Sequence, residues 1–178
     1  MEKLFHFDTP PEVYKADACV VSCYDARFEL VLRKFLKRRG LGLVDHLKIA
    51  GSVKGLASPD HEADREFMLR MIRISMRLHG PQLVVLVGHN ECGAYGDAPP
   101  ETVLADLRLA TQIVRAAEPS MAVECYFADF DGMYRVVEAG EVGRTPWPAL
   151  LQMRALDPAR EERDEGVPRG PGGPPYTL

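Results

Sequence analysis

The sequence predicts an α/β fold, a mainly parallel central sheet flanked by helices with one antiparallel strand at its edge. Three observations carry this reading. The short, β-branched apolar run at 18–23 (ACVVSC) reads as a strand covered on both faces, 82–89 (QLVVLVGH) is the clearest buried strand, and 122–130 (AVECYFADF) reads as another strand. The segments between them repeat apolar residues at helical spacing. Asp131-Gly132 follows the last run directly and reads as a hairpin turn into MYRVVEAG. Strands alternating with helices require parallel crossovers, and the hairpin adds the antiparallel edge.

Each element has its own justification. After the first strand, FELVLRKFLKRRG sets Phe28, Val31, Leu32, Phe35 and Leu36 on one helical face, with Gly40 as the stop. HLKIAG (46–51) is a weaker strand candidate. Ser58 as cap and Pro59 as opener begin a helix running to about His79, with Phe67, Met68, Met71, Ile72 and Ser75 in register and Gly80-Pro81 ending it. The 82–89 strand follows. A helix from about Glu101 to Glu118 turns Val103, Leu104, Leu107, Ala110 and Val114 inward and stops at Pro119. The predicted domain is single and spans 1–156; residues 157–178 (DPAREERDEGVPRGPGGPPYTL) form a flexible Pro/Gly-rich tail with almost nothing to bury.

Composition narrows the function. Hydrophobic content of 46% supports a real core in a soluble globular domain. A net charge of −4 argues against a nucleic-acid partner, which needs a basic face. No apolar run approaches the roughly 20 residues that span a bilayer, and the start, MEKLFHFDTPPEVYKAD, lacks the profile of a secretory signal. The expected compartment is the cytoplasm, so Cys19, Cys23, Cys92 and Cys125 are free thiols or metal ligands.

The fold reading locates the chemistry. Ligands of open α/β sheets bind beyond the carboxyl ends of the strands. Cys23 ends the first strand, His89 ends the third, and Cys92 follows three residues on. Adjacent parallel strands bring two thiolates and an imidazole to one point, a Cys₂His set that suits Zn²⁺ and leaves a fourth position open. Asp25 and Arg27 sit at alternate positions after Cys23; in extended chain they face the same pocket. Arg27 holds Asp25 ionised and off the metal, and Asp25 accepts a hydrogen bond from the bound water. The alternative for this pair is a helix-start ion pair with no catalytic part. Cys19 and Cys125 read as small buried hydrophobes, His6, His46, His61 and His79 as structural, and Glu91 and Asp97 as solvated loop residues.

Cys23-Tyr24-Asp25-Ala26-Arg27 and His89-Asn90-Glu91-Cys92-Gly93 resemble the zinc motif of the β-class carbonic anhydrases, and the resemblance extends over about residues 18–140, including ECYFADFDGMYRVVE. It implies zinc held by Cys23, His89 and Cys92, an Asp25–Arg27 dyad, a homodimer or higher oligomer, and reversible hydration of CO₂ to bicarbonate by a zinc-bound hydroxide. Lys48-Ile49-Ala50-Gly51-Ser52 stands where the family commonly carries Arg-Asn-Ala-Gly-Asn. Ile49, Ala50, Gly51 and Gly93 are assigned to the substrate side, with Val53 as a further apolar wall. Three rivals accompany this reading: a hydrolase of carbon disulfide or carbonyl sulfide, a zinc protein with little turnover serving as bicarbonate sensor or scaffold, and a metal-free Cys23/Cys92 redox dithiol. The last gives His89, Asp25 and Arg27 no role.

Overall fold

The computed structural model describes residues 2–9 and 12–136. Its elements are β1 (Ala18–Ser22), α1 (Glu29–Arg38), β2 (Val44–Lys48), α2 (Lys54–Ala57), α3 (Glu62–His79), β3 (Leu83–His89), α4 (Pro100–Ala117), β4 (Ala122–Asp129) and β5 (Gly132–Arg135), with 3₁₀ turns at Ala26–Phe28 and Gly93–Tyr95. The strands form one sheet in the order β2-β1-β3-β4-β5. The first four are parallel, and β5 runs antiparallel to β4. This is the predicted architecture.

Burial explains why the runs read so clearly. All five residues of β1 are buried, as are all but the first of β3, so neither strand needs a polar face. On one side of the sheet, Phe28, Leu32 and Leu36 pack against Val20, Val85 and Tyr126. Each such side chain contributes about 1.5–3 kcal/mol through burial. On the other side, α3 packs against β1 and β2, α4 against β3 and β4, and α2 lies against both helices.

The strand order sets the site. The chain steps from β1 outward to β2, then returns past β1 to β3 and continues to β4 in the opposite direction. The reversal opens a crevice at the carboxyl ends of β1 and β3. Cys23 is the residue after β1, and His89 is the last residue of β3.

Several boundaries differ from the sequence reading. β2 begins and ends earlier than 46–51, which leaves Ile49, Ala50 and Gly51 in the turn after it. Asp45 reads as a strand breaker, but here Ser75 and Tyr14 donate to its carboxylate and His79 Nδ1 lies 2.9 Å from both oxygens. The helix predicted from Ser58 starts later, at Glu62, and a short unpredicted helix, α2, precedes it. Ser58 closes α2 and caps nothing; its hydroxyl donates to Asp106 Oδ2 at 2.5 Å, and α3 starts after His61 without a side-chain cap. Phe67, expected inside, is exposed, while Met68, Ile72 and Ser75 are buried. The hairpin turns at Phe130-Asp131, because Gly132 already pairs with Asp129. The end of the predicted domain and the 157–178 tail lie outside the described residues.

Candidate metal centre

Cys23, His89 and Cys92 meet at the crevice. One ligand atom from each lies within 4.8 Å of the other two, and the two sulfurs are 3.9 Å apart with neither cysteine in a disulfide. The His89 Nδ1 lies 2.8 Å from the carbonyl oxygen of Asn90. A carbonyl only accepts, so Nδ1 carries the proton and Nε2 keeps a free lone pair. That Nε2 is buried without a hydrogen-bond partner. A buried nitrogen lone pair left open beside two thiols is costly as an end in itself and is what a metal ion satisfies. The donor set and the fixed tautomer therefore fit a tetrahedral Zn²⁺ with one position open.

The electrostatics favour ligand chemistry. The hydrogen bond from Cys92 pulls the Cys23 thiol well below the usual thiol range, and the same contact pushes Cys92 up: the pair gives up its first proton readily and holds its second. Backbone N–H groups stabilise both sulfurs as thiolates, from Asp25 and Gly51 at Cys23 and from Ala94 and Gly51 at Cys92. Burial works against a charged His89, but the Cys23 sulfur and the Asn90 carbonyl outweigh it and raise the imidazole. Gly51 serves both cysteines from a left-handed turn, φ +71°, and a Cβ there would stand 3.0 Å from Ala94 Cβ. Only glycine fits that position without strain.

Asp25 and Arg27 form the expected pair by a different route. β1 has ended at Ser22, so strand alternation does not align them with Cys23. Instead Asp25 caps the 3₁₀ turn, accepting the Arg27 N–H at 3.0 Å, and the guanidinium folds back over both carboxylate oxygens, with Nη2 at 2.7 Å from Oδ2 and Nε at 3.1 Å from each. Arg27 holds the Asp25 carboxyl below the ordinary carboxylate range, and Asp25 raises Arg27 in return.

Other residues at the site carried no signal in the sequence. Glu91, read as a solvated loop residue, accepts from Arg27 Nη2 through its carbonyl at 3.0 Å while its own backbone sits at φ +50°. The Arg27 guanidinium lies 5.6 Å from both the Phe28 and the Phe130 rings, and the Phe28 ring also lies against His89, tilted by 35°. Of the residues assigned to the substrate side, Gly51 is buried at the sulfurs, Ile49 is half-buried with its N–H on the Ser22 carbonyl, and Ala50 and Gly93 are exposed. Val53 is fully buried and belongs to the core, not to an open wall. Cys19 and Cys125 are buried as expected, and burial raises Cys19 to about 11.

Fold and donor set together define an α/β domain with a Cys₂His centre fit for zinc at its topological switch point. A family model described as "Putative carbonic anhydrase" matches residues 14–138. The chain belongs to that carbonic anhydrase family. Among solved structures, a β-carbonic anhydrase isoform from Trichomonas vaginalis is similar at a TM-score of 0.54 and 13% identity, covering 75% of this chain and 88% of that one. A carbonic anhydrase from Glaciozyma antarctica gives 0.52 and 16%, covering 71% and 85%. At these identities the likeness shows the β-class fold. A search of curated proteins gave no match.

Proposed function

We propose that the protein is a zinc-dependent carbonate dehydratase that interconverts CO₂ and bicarbonate. The observation that carries this is the convergence of two thiols and a buried, unpartnered imidazole nitrogen next to an Asp–Arg pair. Cys23, His89 and Cys92 would hold the ion. When bound, zinc supplies the Lewis acidity that makes water a nucleophile near neutral pH.

The rest falls to the chain. Arg27 keeps Asp25 ionised and, by occupying both carboxylate oxygens, keeps it from competing as a ligand. Asp25 accepts an O–H of the attacking water, which turns a lone pair towards the carbon of CO₂ and gives the departing proton a carboxylate to pass. Ile49, Ala50, Gly51 and Gly93 flank the approach, and a neutral substrate needs no charged anchor there. The chemistry requires reduced thiols, which fits a cytoplasmic setting. We assign the exposed apolar arm, with Leu4, Phe5 and Phe7, and the outer edge of β2 to a subunit contact in a homodimer or larger assembly. No helix among the described residues is long and apolar enough to cross a membrane.

The test is elemental analysis of protein never exposed to chelator, followed by stopped-flow CO₂ hydration of wild type, Asp25→Asn and Cys92→Ser. The expected result is about one zinc per chain and turnover that rises with pH. Asp25→Asn should keep its zinc and lose about 10²–10⁴-fold in rate; Cys92→Ser should lose metal and activity together. Zinc-replete wild type inert towards CO₂ refutes the proposal, and turnover of carbon disulfide alone reassigns the substrate. A folded, metal-free protein with a Cys23–Cys92 disulfide refutes the metal reading.

A further inference from the structure

Between the ligands His89 and Cys92 stand two residues to which the proposed reaction gives no role. One of them, Asn90, uses every hydrogen-bonding group it has. Its N–H donates to the Ala128 carbonyl at 2.9 Å, extending the β3–β4 ladder one step beyond His89. Its carbonyl accepts the His89 Nδ1 proton. Its side-chain Oδ1 accepts the Glu91 N–H at 2.9 Å, and its Nδ2 donates to Asp129 Oδ1 at 3.0 Å. That same Asp129 oxygen accepts the Phe130 N–H at 2.8 Å, so the carboxylate at the end of β4 is itself held in place.

The consequence runs on to the dyad. Glu91 adopts a left-handed backbone, φ +50°, which costs a non-glycine residue about 1–2 kcal/mol and persists only where its surroundings impose it. The Asn90 side chain imposes it by capturing the Glu91 N–H. In that conformation the Glu91 carbonyl accepts from Arg27 Nη2 at 3.0 Å, the same nitrogen that donates to Asp25 Oδ2. A continuous set of hydrogen bonds thus joins Asp129 to Asn90, Glu91, Arg27 and Asp25, and its second member, Asn90, also fixes the His89 tautomer.

We infer that Asn90 and Asp129 are positioning residues, a clamp that sets both the His89 lone pair and the aim of Arg27 on Asp25. This rests on the zinc reading above. The asparagine is specific: its oxygen must accept from Glu91 while its nitrogen donates to a carboxylate. An aspartate keeps the first contact but meets Asp129 with like charge; serine or alanine spans neither.

The geometry offers an exchange test. Asn90→Asp breaks the clamp. Adding Asp129→Asn replaces the like-charge contact by an amide nitrogen donating to a carboxylate; because one oxygen of Asp129 takes both N–H groups in the wild type, the amide must turn about χ2 so that its oxygen, not its nitrogen, meets the Phe130 N–H. Zinc affinity is read by competition with a chromophoric chelator, and ligand geometry by the visible absorption of the cobalt-substituted forms. Asn90→Asp should bind zinc about 10–100-fold more weakly, the usual effect of losing a partner that orients a ligand, with shifted cobalt bands. The exchanged pair should return to within about threefold of wild type with native bands, since the clamp's contacts are restored. Native affinity and spectrum in Asn90→Asp, or an exchanged pair no better than that single variant, overturns the inference. If Asn90→Asp alone fails to fold, the exchanged pair is read against wild type: near-native affinity supports the clamp, and a loss of about tenfold or more overturns it. Zinc-binding wild type without CO₂ turnover refutes the proposed reaction and leaves this comparison standing. Wild type that binds no zinc removes both.

Discussion

Gly88, the residue before His89, is where the fold and the site depend most directly on a single missing methyl group. It lies inside β3 opposite Phe127, facing α4. A Cβ there would stand 2.6 Å from Val103 Cγ1 and 3.1 Å from Leu107 Cδ1, and both residues are buried. Carbon atoms pack favourably at about 3.5–4.0 Å, so Gly88→Ala must separate α4 from β3 by about 0.9 Å or more. Val103 cannot swing aside, because a β-branched side chain in a helix has essentially one χ1 rotamer. Overpacking of this kind costs about 1–3 kcal/mol. Relief of glycine's strand entropy returns about 0.5–1 kcal/mol. With the contact this short the overpacking falls in the upper half of its range, and we expect a net loss of about 2 kcal/mol. In a domain of this size that lowers Tm by about 4–8 °C. Urea unfolding at constant m measures it. Val103→Ala removes the clashing methyl and alone costs about 1.5 kcal/mol or more, from two lost methyl groups. The double variant should be at least about 1 kcal/mol more stable than the sum of the singles, because the new methyl occupies the space the valine vacates. Since His89 is the next residue, Gly88→Ala should also weaken zinc binding, and the double variant should recover part of it. A neutral Gly88→Ala, or strict additivity, would refute the packing argument.

Two further outcomes follow from the electrostatics and the surface. Burial raises Asp45, but hydrogen bonds from Ser75 and Tyr14 and the contact with His79 outweigh it and hold the folded carboxyl below its ordinary value. A depressed carboxyl stabilises above its unfolded pKa and loses that contribution as pH falls, so Asp45→Asn should be less stable than wild type at neutral pH, with the gap closing below about pH 4; urea midpoints that keep the full gap at about pH 2–3 contradict this. Leu4, Phe5 and Phe7, 76–86% exposed in the single chain, together with the outer edge of β2, lead us to expect a dimer at least, and light scattering that finds only monomer at micromolar concentration removes that assignment.

Much of this was legible in the residues, and the reasons differ by element. β1 and β3 read clearly because burial on both faces leaves a short apolar run rich in valine, and β4, though Glu124 interrupts it, still carries Val123, Tyr126 and Phe127. β2 is an edge strand whose start is missed because Asp45 is disfavoured in strands until the side chains satisfying it are in view, and those come from α3 and the N-terminal segment. The convergence of Cys23, His89 and Cys92 was legible because metal chemistry restricts residue type and because strand ends concentrate sites. The Asp25–Arg27 contact was expected on the wrong ground: the chain turns after Ser22, and an aspartate cap does the work assigned to strand alternation. Glu91 reads as solvated, and its exposed carboxylate does lie 3.5 Å from Arg27 Nη1, but the closer contact is a carbonyl aimed by a backbone conformation that no residue type marks.

The division of the site between strands and turns says how it comes into being. Cys23 and His89 lie at the ends of the two central strands, and their approach depends on β1 and β3 being paired, with Ser22 level with Val87. Cys92 sits on a turn tied back to the body of the domain: Tyr95 donates to Asp106 Oδ2 at 2.9 Å, and Ser58 joins the same buried oxygen. Gly51, whose N–H supports both sulfurs, follows β2, the strand on the other side of β1. Of the three ligand residues only His89 and Cys92 are close in sequence, and Cys23 joins them from the end of β1, so the Cys₂His set is complete only when these pieces meet. The core that assembles the centre consists of buried apolar side chains and strand ladders that owe nothing to an ion. The proposed zinc would therefore bind after folding and add its stabilisation by mass action to a native state already formed, unlike small zinc domains in which binding free energy is folding free energy.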